Sequence, residues 1–474
     1  MDPFDALQRA ARPLGDAIRL TDGPAVSILD AAAVRQRIGT LVESSVFGSE
    51  PERSLARWLI REVATASGAV PGSIQGLYAA RGRSETRDTF TVPAMNLRAL
   101  PYHAARAVFR AAGKSQAKAM IFELARSEMG YTDQRPAEYA ACILGAAVAE
   151  GYQGPVFIQG DHFQVSAKKY ASKPAEEVRA VRDLIQEALA AGFYNIDIDT
   201  STLVDLSKAT IPEQQAVNCS LCAEFSTYIR SLEPKGVTVS IGGEIGEVGG
   251  HNSTEPELRA FMDGYNAALA KLDARAAGLS KISIQTGTSH GGVVLPDGTI
   301  AKVKVDFETL SQLSKVAKQY RMGGAVQHGA STLPEEAFSK FAEAGALEVH
   351  LATNFQNMLY DRLPPELLQE VYAFLTKKHS DERKEGQTDE QFYYNARKRA
   401  LGPFKKHFWQ LPPDTLKTIE AAWEKQFDLL FERLAIGGTQ AEVDRFVHTA
   451  AVKVPLSEYL RQAGVEEDVK DLAD

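Results

Sequence analysis

From about residue 91 onward, short apolar or β-branched runs alternate with longer stretches of helical periodicity. The runs are TVPAMN (91–96), KAMIFEL (118–124), PVFIQG (155–160), NIDIDT (195–200), GVTVSIGGE (236–244), SKISIQTG (280–287), GGAVQHG (323–329) and LEVHLAT (347–353). Between them lie stretches such as PYHAARAVFRAAG, PAEEVRAVRDLIQEALAAG and LPEEAFSKFAEAG. Several open near proline and several close on glycine, as helices do. Eight such units between residues 91 and 361 predict an α/β fold, a (β/α)8 TIM barrel, whose active site lies at the C-terminal ends of the strands. A doubly wound open sheet is the alternative, but no G-x-G-x-x-G follows the first run. Residues 1–90 and 362–474 read as mainly helical extensions, suited to packing or to contacts between subunits.

Composition narrows the function classes. A formal net charge of −8 argues against nucleic acid as the main partner, which needs a basic field. The stretch MDPFDALQRAARPLG has no apolar core of a signal peptide, and no run approaches the ~18–20 apolar residues of a membrane span. A soluble cytoplasmic protein is expected, with no membrane partner. Three cysteines do not make a disulfide framework, and Cys219 and Cys222, in AVNCSLCAEF, read as the packed face of a helix.

The candidate chemistry sits at the strand ends. The third run leads into Asp161-His162, the sixth into Ser289-His290-Gly291-Gly292, and the seventh ends in Gln327-His328-Gly329. Three of the nine histidines thus fall at corresponding ends of one barrel. Neutral imidazoles are common zinc ligands, and catalytic sites use three protein ligands and keep one position open. Glu244 and Asp199, at the ends of the fifth and fourth runs, supply carboxylates to the ion or to its ligands. The glycines of HGG and HGAS, with the Ser331 hydroxyl, form a candidate phosphate cradle at late βα-loops. A metal beside such a cradle suggests carbonyl chemistry on a phosphorylated sugar, with Asp161 moving the proton.

Seven segments fall in the order of one known family: PAMN, GDH, DTS, GGEIGEVGG, GTSHGG, QHGAS and a final strand ending in Ala352-Thr353. Together they resemble the class II, metal-dependent ketose-bisphosphate aldolases, the fructose- and tagatose-bisphosphate aldolase family. The resemblance implies that His162, His290 and His328 hold zinc, or another divalent ion such as cobalt, manganese or iron. It implies that Asp161 transfers the proton and that Asp199 and Glu244 serve a second or alternative metal position. It places Asn96 near the substrate, Gly291, Gly329, Ser331 and Thr353 around the dihydroxyacetone phosphate end, and Arg397, in FYYNARK, at the distal phosphate.

The implied reaction is reversible aldol cleavage of fructose 1,6-bisphosphate, tagatose 1,6-bisphosphate or a related sugar phosphate. It passes through a metal-stabilised enediolate of dihydroxyacetone phosphate, in a protein that forms a homodimer or homotetramer. The chain departs from the family pattern at several places. Gln159 stands where the family has histidine, Gly242 where it has glutamate, and His350-Leu351-Ala352-Thr353 where it has Asn-x-Asp-Thr. The serine expected after the second strand is shifted, with Ser127 the nearest, and residues 249–254 replace a longer loop with an acidic residue. The rival readings are a non-catalytic aldolase-like structural or regulatory subunit and another metal-dependent sugar-phosphate lyase. A metal-dependent hydrolase is disfavoured because the chain contains no H-x-H.

Overall fold

The computed structural model describes residues 3–21, 25–246, 251–287, 295 and 305–461. The eight predicted runs form eight strands: β1 (Val92–Asn96), β2 (Ile121–Ala125), β3 (Gly154–Gln164), β4 (Asn195–Asp199), β5 (Ser240–Glu244), β6 (Lys281–Ile284), β7 (Ala325–Gln327) and β8 (Glu348–Leu351). Each pairs in parallel with the next, and β8 returns to β1 through Val349–Pro93 and His350–Ala94, so the sheet closes into the expected (β/α)8 barrel. Alternation along a strand gives each residue one of two faces. In β8, Glu348 and His350 share a face, and both are buried.

The N-terminal segment is more than a helical appendage. It contains the helices Ala31–Phe47, Glu50–Ala66 and Gln75–Gly82, but also a hairpin of Ile18–Thr21 with Ala25–Ile28 and a further strand, Ala69–Gly72. That strand pairs with the first residues of β3, Gly154–Phe157, before β3 takes up β4 from Gln159 onward. Helix Gln75–Gly82 then lies against the end of the barrel where the strands begin. Tyr78 there donates to Glu348 at the start of β8, and Arg81 binds the carbonyls of Phe90, Gly345 and Ala346 that flank β1 and β8.

At the other end of the chain, helix Pro413–Arg433 packs along helix Pro101–Ser115. Arg110 pairs with Glu420 and Glu424, Lys114 pairs with Asp428, and the buried Trp423 donates its ring N–H to the Phe355 carbonyl at 3.0 Å. The shorter helix Asp389–Ala396 opens on a capping box between Thr388 and Gln391 and runs into the turn Arg397–Ala400. Cys219 and Cys222 are buried on helix Ala216–Leu232 as free thiols. Among the described residues no helix is long and apolar enough to cross a membrane.

Candidate active site

On a regular strand the adjacent Asp161 and His162 would face opposite ways. The β3–β4 register shows why they do not. Gly160 lies opposite Ile196, and the next pair is Phe163 with Ile198, so two residues of β3 stand against one of β4. This is a β-bulge, which re-aims side chains at barrel rims. His162 takes the left-handed conformation, with φ of 39°, and both side chains line the cavity at the mouth of the barrel. Gly160 makes the bulge possible, since a Cβ there would lie 2.4 Å from the Phe163 ring.

Around His162 the metal-type donors gather. Its Nδ1 lies 3.2 Å from both Asp199 Oδ2 and Glu244 Oε2. Its ring packs against that of His328, with centroids 4.3 Å apart, and His328 packs against His350 at 4.2 Å. Donor atoms of Asp161, His162 and His328 fall within 4.8 Å of one another, as do those of His162, Asp199 and Glu244. Imidazole nitrogens and carboxylate oxygens so grouped fit zinc or a similar first-row divalent ion. Asp199 is fixed by Gln164 at 2.6 Å and Ser201 at 2.7 Å, so it presents its carboxylate in one orientation.

Asp161 is held at both oxygens. Asn96 Nδ2 donates to Oδ2 at 3.0 Å and also to Glu128 at 2.9 Å, while His350 Nδ1 meets Oδ1 at 3.2 Å. Burial alone would raise this carboxyl, but the neighbouring His162 and His350 imidazoles outweigh it and hold Asp161 well below the usual carboxylate range.

Gly329, Ser331 and Thr353 line the same cavity, with Thr353 opening helix Thr353–Tyr360. The Ser331 hydroxyl accepts from the Ala352 N–H at 2.6 Å. His290 and Gly291 lie outside the described residues. Arg397 is buried but absent from the cavity lining. Its guanidinium stacks on Tyr394 at 4.4 Å and on Tyr360 at 5.1 Å, and it donates to Asn357. The C-terminal residues that line the cavity are instead Tyr394, Asn395 and Lys398, together with Arg98 from the loop after β1.

Burial and the adjacent Arg98 and Arg399 guanidiniums push the Lys398 ammonium down to about 8. Sequence reasoning missed Lys398 because its neighbour carried the motif resemblance. It also missed Glu128 and Arg98, whose ion pair forms only when the loops after β1 and β2 meet. His350 had a signal: a charged residue on the inward face of a barrel strand.

A model of the family described as fructose-bisphosphate aldolase class II matches residues 84–462. No curated protein matches the chain in sequence. Among solved structures, a probable tagatose 6 phosphate kinase from Sinorhizobium meliloti is 15% identical, with TM-score 0.52, covering 75% of this chain and 93% of its own. A fructuronate-tagaturonate epimerase from Cohnella laeviribosi is 13% identical, with TM-score 0.52, covering 89% of this chain and 90% of its own. A putative fructose-1,6-bisphosphate aldolase from Coccidioides immitis is 17% identical, with TM-score 0.45, covering 77% and 96%. At these identities the Sinorhizobium meliloti and Cohnella laeviribosi structures show a shared fold.

Proposed function

Because the chain belongs to the class II fructose-bisphosphate aldolase family, we propose that it catalyses the reversible aldol cleavage of a phosphorylated ketose, with Asp161 as the proton-transfer group. The observation that carries this reading is the bulge in β3, which sets a doubly anchored Asp161 beside the donors of His162 and His328. His162 and His328 would hold a divalent ion, with Glu244 and Asp199 alongside and His290 as the third imidazole that the motif order supplies. Bound there, the ion supplies Lewis-acid polarisation of a carbonyl and its neighbouring hydroxyl.

Asp161 takes the proton from the hydroxymethyl carbon, and Asn96 keeps the carboxylate aimed at it. Gly329, Ser331 and the start of helix Thr353–Tyr360 face the same space and suit a phosphate on the triose end. Lys398 and Arg98 supply positive charge on the remaining wall for a second anionic group. The test is incubation of the zinc-loaded protein with dihydroxyacetone phosphate in deuterated water, followed by NMR. Loss of the hydroxymethyl proton signal that EDTA prevents is the expected result. No exchange in a protein that holds its metal sinks the proposal.

A second reading rests on the epimerase structure, which spans 89% of this chain and so extends beyond the barrel. Cleaving a carbon–carbon bond and re-forming it on the opposite face would use the same ion and base, and a sugar acid would set its carboxylate against Lys398 and Arg98. Product NMR separates the two readings. Fructose 1,6-bisphosphate gives triose phosphates under the first, and fructuronate gives an isomeric uronate under the second.

The Lys398 role has its own pH signature. Only the ammonium form attracts an anion, so KM is flat below about pH 8 and rises above it, as Lys398 deprotonates beside Arg98, Arg399, Glu128 and Glu382. Lys398→Met raises KM by roughly 10- to 100-fold, the worth of a charge-assisted hydrogen bond, and removes that pH dependence. Steady-state kinetics from pH 6.5 to about 9.5 check both effects.

A further inference from the structure

Beneath the cavity lies a set of charged side chains to which the reaction above assigns no role. Lys281 of β6 places its ammonium 2.9 Å from Asp197 Oδ2 and 2.8 Å from Gln159 Oε1, and it also binds Glu348. Gln159 donates to Glu123 at 2.8 Å and to Glu348 at 3.1 Å. His350 bridges upward from this set. Its Nε2 meets Glu348 Oε1 at 2.7 Å, and its Nδ1 meets Glu123 Oε1 and Asp161 Oδ1, each at 3.2 Å. At the bottom, Tyr78 from the N-terminal segment donates to the other Glu348 oxygen. All these side chains are buried.

Stability does not explain the arrangement well. Barrel interiors are ordinarily filled by layers of branched aliphatic residues, and replacing buried ion pairs by apolar side chains of equal volume is often neutral or stabilising. Three positions at which this chain departs from the pattern it resembles meet here. Gln159 and His350 are members of the set, and Gly242 makes room for it, since a Cβ there would sit 2.3 Å from Asp197 Oδ1 and 2.9 Å from Lys281 Cε. Nδ1 of His350 faces the Glu123 and Asp161 carboxylates and Nε2 faces that of Glu348, and these contacts hold the ring in its orientation. That orientation fixes one oxygen of Asp161, while Asn96 fixes the other.

We infer that His350 is a positioning residue for Asp161, and that the chain Tyr78–Glu348–His350–Asp161 ties the reactive carboxylate to the N-terminal segment that closes the bottom of the barrel. The inference rests on Asp161 being the proton-transfer group, as proposed above. It gives the region before the barrel a part in catalysis although Tyr78 does not line the cavity.

The test uses the full-length, metal-loaded protein. Tyr78→Phe lowers kcat by roughly 10-fold and His350→Asn by up to about 100-fold, with KM and bound metal unchanged, the scale seen when groups orienting a reactive side chain are removed. The double variant is no slower than His350→Asn alone, because Tyr78 acts through His350. A separate readout needs no substrate. In crystals of Tyr78→Phe and His350→Asn the Asp161 carboxylate rotates about its remaining contact with Asn96. If Asp161 keeps its orientation in both variants and kcat is unchanged, the inference is overturned. Additive losses in the double variant overturn the link through His350. If the parent protein shows no proton exchange on any triose phosphate, the functional reading fails, and the crystal structures still decide the positioning claim. Should His350→Asn fail to fold, Tyr78→Phe and Glu348→Gln carry the same comparison.

Discussion

Asp161→Asn abolishes most of the activity, with kcat falling roughly 10²- to 10⁴-fold, the usual worth of a positioned general base, while the bound metal stays at the parental level. The substitution preserves shape and removes only the charge and one acceptor. Asp161 Oδ2 now accepts from Asn96 Nδ2 and Oδ1 faces His350 Nδ1, so an amide meets a donor wherever its own NH2 lands. The replacement therefore loses both proton affinity and anchorage. The measurement pairs kcat, from a coupled assay or from deuterium exchange, with metal content from elemental analysis. A subsite that bound metal only to hold the fold together would leave turnover unchanged in Asp161→Asn. An assembly partner with an aldolase-like fold would turn over nothing in either form, so absence of activity in the metal-loaded parent protein would favour the non-catalytic reading. Replacement of His162 is expected to give the complementary result, because it removes one of the grouped imidazole donors and so lowers metal content and activity together.

The barrel was legible because its signal is redundant. Eight apolar runs, each followed by a helical stretch, leave few other ways to bury the strands. Asp161 and His162 were legible as chemistry, but the bulge that points both inward was not, since it shows only in the register of β3 against β4. The N-terminal segment was read as mainly helical. Its strand Ala69–Gly72 is AVPG, too short and too rich in proline and glycine to stand out from a loop, and it exists because the first part of β3 offers a free edge there. At the C-terminal side the residue named from the motif and the residue at the cavity differ by one position. Motif order pointed to Arg397, but the turn Arg397–Ala400 stacks that side chain between two tyrosine rings and sends its successor, Lys398, to the cavity wall. The charged interior was the hardest to foresee. Glu123, Gln159, Asp197, Lys281, Glu348 and His350 come from five different strands, and nothing in the linear order says that they meet.

Removal of the metal has the largest expected effect of all: dialysis against a chelator eliminates activity, and zinc restores it. The donors explain why no side chain stands in for the ion. Around His162 lie the Asp199 and Glu244 carboxylates, each 3.2 Å from its Nδ1, with Asp161 3.9 Å from its Nε2. The buried ammonium of Lys281 is committed to Asp197, Gln159 and Glu348 beneath the cavity. Without the ion, protons relieve the gathered carboxylates by occupying the imidazole nitrogens needed for coordination and the Glu244 carboxyl, which burial raises. Metal uptake therefore displaces protons, and affinity weakens as the pH falls.

The same linkage gives a readout independent of turnover. A ligand that binds only the folded state stabilises it by about 4 kcal/mol at a thousand-fold excess over its dissociation constant. The melting temperature of the loaded protein accordingly exceeds that of the chelated protein, and the difference narrows at acid pH. In His328→Ala the gap shrinks along with the activity, because one imidazole donor is gone from the group it forms with Asp161 and His162. A chelated protein that melts with the loaded form and still turns over substrate would remove the metal from the mechanism and leave Asp161 to account for catalysis alone.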